Sequence, residues 1–294
     1  MHRRWTALIL IICMLLPCVC TAEDARPRLD AAQYIVYRIS DGKYRVMDFE
    51  GRFVGEDTEA FPSEKIGEAA FYMEHGEFGF VANDGTIVVE PQYYDVPEFE
   101  KGYGIVCKMD IDGEARDFSG GIGTPMFGRV YGVINAYGDV IVPAEYESVH
   151  DIYTGDKVDY AIVNVSGGNH KLEGLFNLTD GRVAIAPKYF SLEVANDDFL
   201  IAGQATLNCD PEDVNESASG SEYDYEYGVI DLQEDVLIPL EYDMITFSAK
   251  KGVFNCLMDN QIVKVYEIRN GTVVEKVESP HIMMERQNKG GMKR

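Results

Sequence analysis

The chain has 294 residues, with 50 acidic side chains against 26 basic ones and a net charge of −24 at pH 7. An acidic excess of that size repels nucleic acid and anionic membrane surfaces, so neither is expected as a partner. Hydrophobic residues make up 46% of the chain, enough to bury a core.

In chain order, residues 1–22 have the pattern of a secretory signal peptide: Arg3 and Arg4, an apolar run over 5–19, and Cys20-Thr21-Ala22 before Glu23. A lipid anchor at Cys18 or Cys20 and an uncleaved anchor stand as alternatives, although Pro17 and Val19 are poor neighbours for lipoprotein processing. The expected location is secreted or cell envelope, with no membrane span after signal cleavage. A polar lead-in follows over 23–33.

From 34 to 278 the sequence reads as one all-β repeat domain. Strand-like runs at 34–39, 69–73, 102–109, 160–165, 199–207 and 253–258 each precede a hairpin pattern. The clearest hairpin is 131–146, YGVINAYGDVIVPAEY, in which a β-branched run, an Asn-to-Gly turn and a second run end at Pro143. The same grammar marks Gly79, Gly132, Gly174 and Gly228, each followed 11 to 13 residues later by Pro91, Pro143, Pro187 and Pro239. Tyr94, Tyr146, Tyr189 and Tyr242 close the copies and are expected to be equivalent packing positions. Degraded copies at 44–54 and 262–277 lack the glycine and the proline, as terminal repeats often do. Asp41-Gly42, His75-Gly76 and Asp259-Asn260 supply tight turns.

These runs predict six units of three strands. Such a unit cannot bury its faces alone, so neighbours must pack, either radially as a six-bladed β-propeller or in line as an open β-solenoid or meander. The propeller is the preferred expectation because closure removes exposed strand edges. Two polar insertions, 110–128 and 208–226, read as loops and are the expected interaction sites. The tail, 279–294, is basic at its end and is expected to be disordered.

Little in the sequence carries chemistry. Asp110, Asp112 and Glu114 open like a calcium loop, but the ligand register then fails, which leaves them as weak metal candidates and no cofactor expected. Cys107 and Cys256 read as small buried hydrophobes, and Cys209 sits in an acidic loop that disfavours its thiolate. His75, His150, His170 and His281 are scattered and read as turn or surface residues. No nucleophile elbow, P-loop or dinucleotide fingerprint is present. The expectation is a monomeric, non-enzymatic scaffold that binds a protein or a glycan. The alternatives are an extracellular hydrolase of polysaccharide or peptide, and a calcium-dependent envelope protein.

The copies FGFVANDGTIVVEPQYY, YGVINAYGDVIVPAEY, EGLFNLTDGRVAIAPKYF and YGVIDLQEDVLIPLEY resemble the WG repeat family of bacterial proteins. Phe99-Glu100-Lys101-Gly102 is similar to the step that leads into that family's next unit. Phe78, Tyr131, Glu173 and Tyr227 stand where the family has tryptophan, and glutamate is the largest departure. The resemblance implies an all-β module of envelope or secreted proteins and carries no catalytic residues.

Overall fold

The computed structural model describes residues 26–110, 128–167, 170–207 and 223–276. Among these the chain is all-β, with two short 3-10 turns, Leu29–Ala31 and Ser63–Lys65, and no α-helix. The predicted signal peptide, Asp112, Glu114, Cys209, most of both insertions and the tail lie outside the described residues.

The strands form five separate sheets, which do not close into a barrel. Sheet 1 contains β1 (Tyr34–Arg38), β2 (Tyr44–Asp48), β3 (Ala69–Glu74), β4 (Glu77–Ala82) and β5 (Ile87–Tyr93), in the order β2-β1-β3-β4-β5. Sheet 2 contains β6 (Phe99–Glu100), β7 (Tyr103–Asp110), β8 (Gly128–Asn135) and β9 (Val140–Tyr146). Sheet 3 contains β10 (Ser148–Thr154), β11 (Asp159–Gly167), β12 (His170–Asn177) and β13 (Arg182–Tyr189). Sheet 4 contains β14 (Ser191–Val194), β15 (Phe199–Leu207), β16 (Tyr223–Asp231) and β17 (Val236–Tyr242). Sheet 5 contains β18 (Met244–Ser248), β19 (Val253–Met258), β20 (Gln261–Arg269) and β21 (Thr272–Glu275).

Six units of three strands thus become five sheets of four or five. Each of sheets 2 to 5 gains an edge strand, β6, β10, β14 or β18. Their sequences, SVHDIYT and SLEV among them, are too short or too mixed to stand out as strands beside the marked hairpins. The first two predicted units fuse, because β1 pairs in parallel with β3 at the place where the other sheets carry their edge strand. The second insertion is shorter than expected: Tyr223 to Glu226 pair with Leu207 to Gln204, as alternating tyrosines and acids suit a strand.

The glycine and proline markers have one physical cause. In sheet 2, Tyr131 pairs with Tyr146 and Val133 with Val142, a step of two residues on β8 against four on β9. The same bulge recurs between Phe78/Phe80 and Tyr93/Val89, Glu173/Leu175 and Tyr189/Ile185, and Tyr227/Val229 and Tyr242/Ile238. The fourth strand there bows over the third, and a Cβ on Gly174 would lie 2.7 Å from both the Ile185 oxygen and the Pro187 nitrogen. Main chain fills the side chain's place, so only glycine fits. Proline occupies one of the three positions that the bulge leaves between paired residues, where no ladder N–H is needed. It takes the first position in Pro143 and Pro239 and the second in Pro91 and Pro187, and together with the hairpin of sheet 3, longer by one residue between Leu175 and its partner Ile185, this accounts for the variable spacing. Sheet 5 lacks both markers, and its β20–β21 ladder runs without a bulge.

The register also reassigns one tyrosine. Tyr93, not Tyr94, is the equivalent of Tyr146, Tyr189 and Tyr242; it is 1% exposed and faces Phe78, whereas Tyr94 is 44% exposed under the Arg129 guanidinium. The residue after each of these tyrosines donates its N–H to the second strand of the next sheet: Tyr94 to the Cys107 oxygen, Glu147 to Asn164, Phe190 to Gly203 and Asp243 to Leu257, at 2.8 to 3.1 Å.

Successive sheets pack face to face. Ile134 points into the core with sheet 1 while its neighbour Val133 points into the core with sheet 3, and both are 0% exposed. Among the described residues, every inter-sheet core cluster joins sheets consecutive in sequence, and none joins sheet 1 to sheet 5. Two segments outside the predicted strands help close the first end. Leu29 of the lead-in is fully buried and donates its N–H to the Ala136 oxygen of sheet 2. The stretch 54–66 folds Val54, Phe61 and Ile66 onto the outer face of sheet 1.

Two substitutions test this reading by urea denaturation. Gly174→Ala should destabilise the protein by about 3 kcal/mol, since backbone and not a mobile side chain must move. Tyr93→Ala should cost about 3–5 kcal/mol, by analogy with other buried aromatic truncations, and Tyr94→Ala less than about 1.

Candidate binding site

Polar and titratable groups gather where the first strands of sheets 2, 3 and 4 approach one another. A cavity of about 330 Å³ is lined by Glu100 and Lys101 from sheet 2, Asp151 to Tyr153 and Ile162 from sheet 3, and Glu193 and Val194 from sheet 4. The short edge strands bring these residues together. β10 carries a bulge between His150 and Tyr153, and within it Asp151 takes a left-handed conformation, φ 51°, that few non-glycine residues adopt. Lys101, also left-handed, donates from Nζ to the Ile152 oxygen at 3.0 Å and so ties sheet 2 to sheet 3. Tyr153 donates to Asp197 Oδ1 at 3.2 Å, which ties sheet 3 to sheet 4. Burial, followed by the nearby Asp151 carboxylate, holds the Glu193 carboxyl above its ordinary range.

An ion-pair relay adjoins the cavity. His150 Nδ1 lies 2.7 Å from Asp151 Oδ2, and its Nε2 lies 3.3 Å from Glu173 Oε1. Glu173 accepts the Leu192 N–H of sheet 4 on its other oxygen at 2.6 Å. Beside it in the ladder, Asn164 is 5% exposed and its Oδ1 has no hydrogen-bond partner. The hydrogen bond to Glu173 is the main influence on the imidazole, and with Asp151 it outweighs desolvation and pushes the His150 pKa up to about 9.

His150, expected from sequence as a surface or turn residue, sits in strand β10 with its ring partly exposed, and its two carboxylate partners favour the protonated imidazole. The signal that could have found it was Glu173 itself, because an acid in an otherwise aromatic inward position requires a buried partner. The remaining sequence candidates do not converge here. Asp110 ends β7. Among the described residues, no group of three or more His, Cys, Asp or Glu could hold a metal ion. Cys107 and Cys256 are free and buried, and burial raises both thiols, Cys256 to about 12. Tyr189 and Tyr242 act between sheets, with Tyr189 donating to Glu234 of sheet 4 at 3.1 Å and the Tyr242 hydroxyl 3.5 Å from that of Tyr266 in sheet 5.

Stacked four-stranded sheets, repeated bulges and one recurring inter-sheet hydrogen bond define an all-β repeat protein. The family model described as WG containing repeat matches residues 78–109, 131–168 and 227–254, and the chain is a WG repeat-containing protein. No curated protein matches the chain. Each match begins at a residue in the tryptophan position, Phe78, Tyr131 or Tyr227, and the copy starting at Glu173 falls outside all three. Among the described residues, no helix is long and apolar enough to cross a membrane.

The His150 relay gives a pH test. The folded pKa, about 9, lies above the ordinary imidazole value of 6.5, so the stability it contributes is fully present below pH 6.5 and is lost as pH rises through 9. His150→Gln should destabilise the protein by about 1 kcal/mol at pH 6, with allowance for screening of the partly exposed ring, and by close to nothing at pH 10. Thermal melts of both proteins across that range measure the difference.

Proposed function

We propose that the chain is a secreted or cell-envelope scaffold that acts by binding, not by catalysis, and that the cavity shared by sheets 2, 3 and 4 receives a basic side chain of a protein partner. The observation that carries this reading is that three consecutive repeats each place an acid, Glu100, Asp151 or Glu193, on one concavity whose single lining cation, Lys101, is shared between the Ile152 backbone oxygen and Glu100 Oε1, 3.3 Å away, which leaves Asp151, with its neighbour His150, and Glu193 as the acids Lys101 does not neutralise. Rigid repeats position the acids, and a net charge of −24 steers a cationic partner toward them. The signal pattern over 1–22 and the typical setting of the family support the location. A neutral glycan gains nothing from this electrostatics, so a protein partner is the better fit to the cavity.

One observation favours a second reading. Glu193, its carboxyl held up by burial beside Asp151, resembles the acid member of a hydrolase carboxylate pair. Measurable polysaccharide cleavage that disappears in Glu193→Gln would establish that reading instead.

The binding reading is tested with a fluorescent lysine-rich peptide and the full chain. Binding should be saturable and weakened by salt, and the Asp151→Asn/Glu193→Gln pair should lower affinity about tenfold. Equal affinity for the variant would mean that the peptide is held elsewhere by net charge alone, and the proposed site would be wrong.

A further inference from the structure

A second cavity, somewhat more apolar than the first, lies between sheet 1 and the chain leading into sheet 2. Its volume is about 600 Å³, within the usual range for small-molecule sites. Phe49, Phe71, Phe99 and Ile35 supply its walls, and Asp30 and Glu98 its acids, with no lysine or arginine in the lining.

The walls are fixed in place. The ring centroids of Phe49 and Phe71 are 5.7 Å apart, those of Phe71 and Phe80 4.8 Å, and those of Phe80 and Phe99 6.1 Å, which makes a continuous aromatic run from mouth to core. Phe99 packs over Gly104, where a Cβ would come within 3.0 Å of its ring. At the mouth, Phe49 is 54% exposed although it caps an apolar cavity, and its turn is held by Asp48, which accepts the Arg52 N–H on Oδ1 at 2.8 Å and the Gly51 N–H on its main-chain oxygen at 3.1 Å. A rigid turn that holds a phenylalanine half in water costs hydrophobic free energy unless something covers the ring.

Charge specifies what covers it. Asp30 is shared with Arg28, whose Nε lies 3.1 Å from Oδ1. Glu98 is exposed and has no ion pair or hydrogen bond among the described residues, so it is the uncompensated charge at this mouth. Phenylalanine faces also attract cations. We propose that this cavity is a binding site for a small amphipathic organic cation, with an aromatic or branched apolar body in the phenylalanine well and one protonated amine against Glu98. The site is independent of the acid-lined cavity of sheets 2 to 4, and either can fail without the other.

Isothermal titration of the full chain with 4-phenylbutylamine, 4-phenylbutanol and 4-phenylbutyrate tests the proposal. The amine should bind at one site per chain, the alcohol several-fold more weakly, and the acid least of all. Phe49→Ser should lower affinity for amine and alcohol at least tenfold. Glu98→Gln should bring the amine down to the level of the alcohol and leave the alcohol unchanged. Both positions are exposed, and unchanged melting temperatures would show that the variants fold. Binding of the acid as tightly as the amine, unaltered binding by Phe49→Ser, or no heat from any probe would overturn the proposal. So would amine binding only by dissociation of a dimer in sedimentation, which would assign the face to a second copy of the chain.

Discussion

Four times in this chain, main-chain atoms of one strand occupy the space that a side chain would take on its neighbour. That contact, between Gly79, Gly132, Gly174 or Gly228 and the bowed strand opposite, is what the rest of the structure depends on. It sets a bulge that carries the last strand out of simple register and ends on a buried tyrosine or its equivalent. The next residue then hands its N–H to the following sheet. A local steric fact about a missing Cβ thereby becomes the rule that joins one repeat to the next.

The family repeat and the structural sheet are out of phase. The match over 78–109 covers the last two strands of sheet 1 and the first two of sheet 2, and the match over 131–168 does the same for sheets 2 and 3. Each sequence repeat therefore closes one sheet and opens another. Each sheet keeps its own ladder within itself, so neighbours are coupled through the shared apolar cores and the recurring inter-sheet N–H bond, as nearest-neighbour interfaces of a repeat array. The consecutive buried pairs Val133-Ile134, Leu175-Phe176 and Val229-Ile230 express this in side chains, with one member of each pair for each neighbouring core.

Much of this was legible in the sequence, for a reason of scale. Gly-to-Pro spacing, β-branched runs and Asn-Gly or Asp-Gly turns report interactions within a hairpin, and hairpins are local. What was not legible lies between hairpins. The edge strands β6, β10, β14 and β18 carry neither the glycine nor the proline marker, and each is held by one ladder and not by two. The choice of Tyr93 over Tyr94 depended on the number of residues in the bulge, which adjacent identical letters conceal. The pairing of His150 with Glu173 spans two strands, and composition alone could not distinguish it from the many other acids of so acidic a chain. In the first cavity, too, Asp151 and Glu193 meet only because sheets 3 and 4 stack.

The fold tolerates Glu173 in an inward aromatic position by converting one kind of cohesion into another. An aromatic side chain there would join the sheets by area; the carboxylate instead accepts the Leu192 N–H of sheet 4 and the charged His150 of its own sheet. Directional bonds of this kind stiffen the contact only while every member is satisfied, and Asn164 beside them keeps an acceptor unpaired. The seam between sheets 3 and 4 therefore adds an ion-paired group to its apolar core, and it adjoins the cavity where three repeats bring their acids together. On the binding proposed above, charge that would be a defect inside a uniform array would become useful at its inner edge, where a partner's cationic group would add to the pairing that Lys101 and His150 already supply.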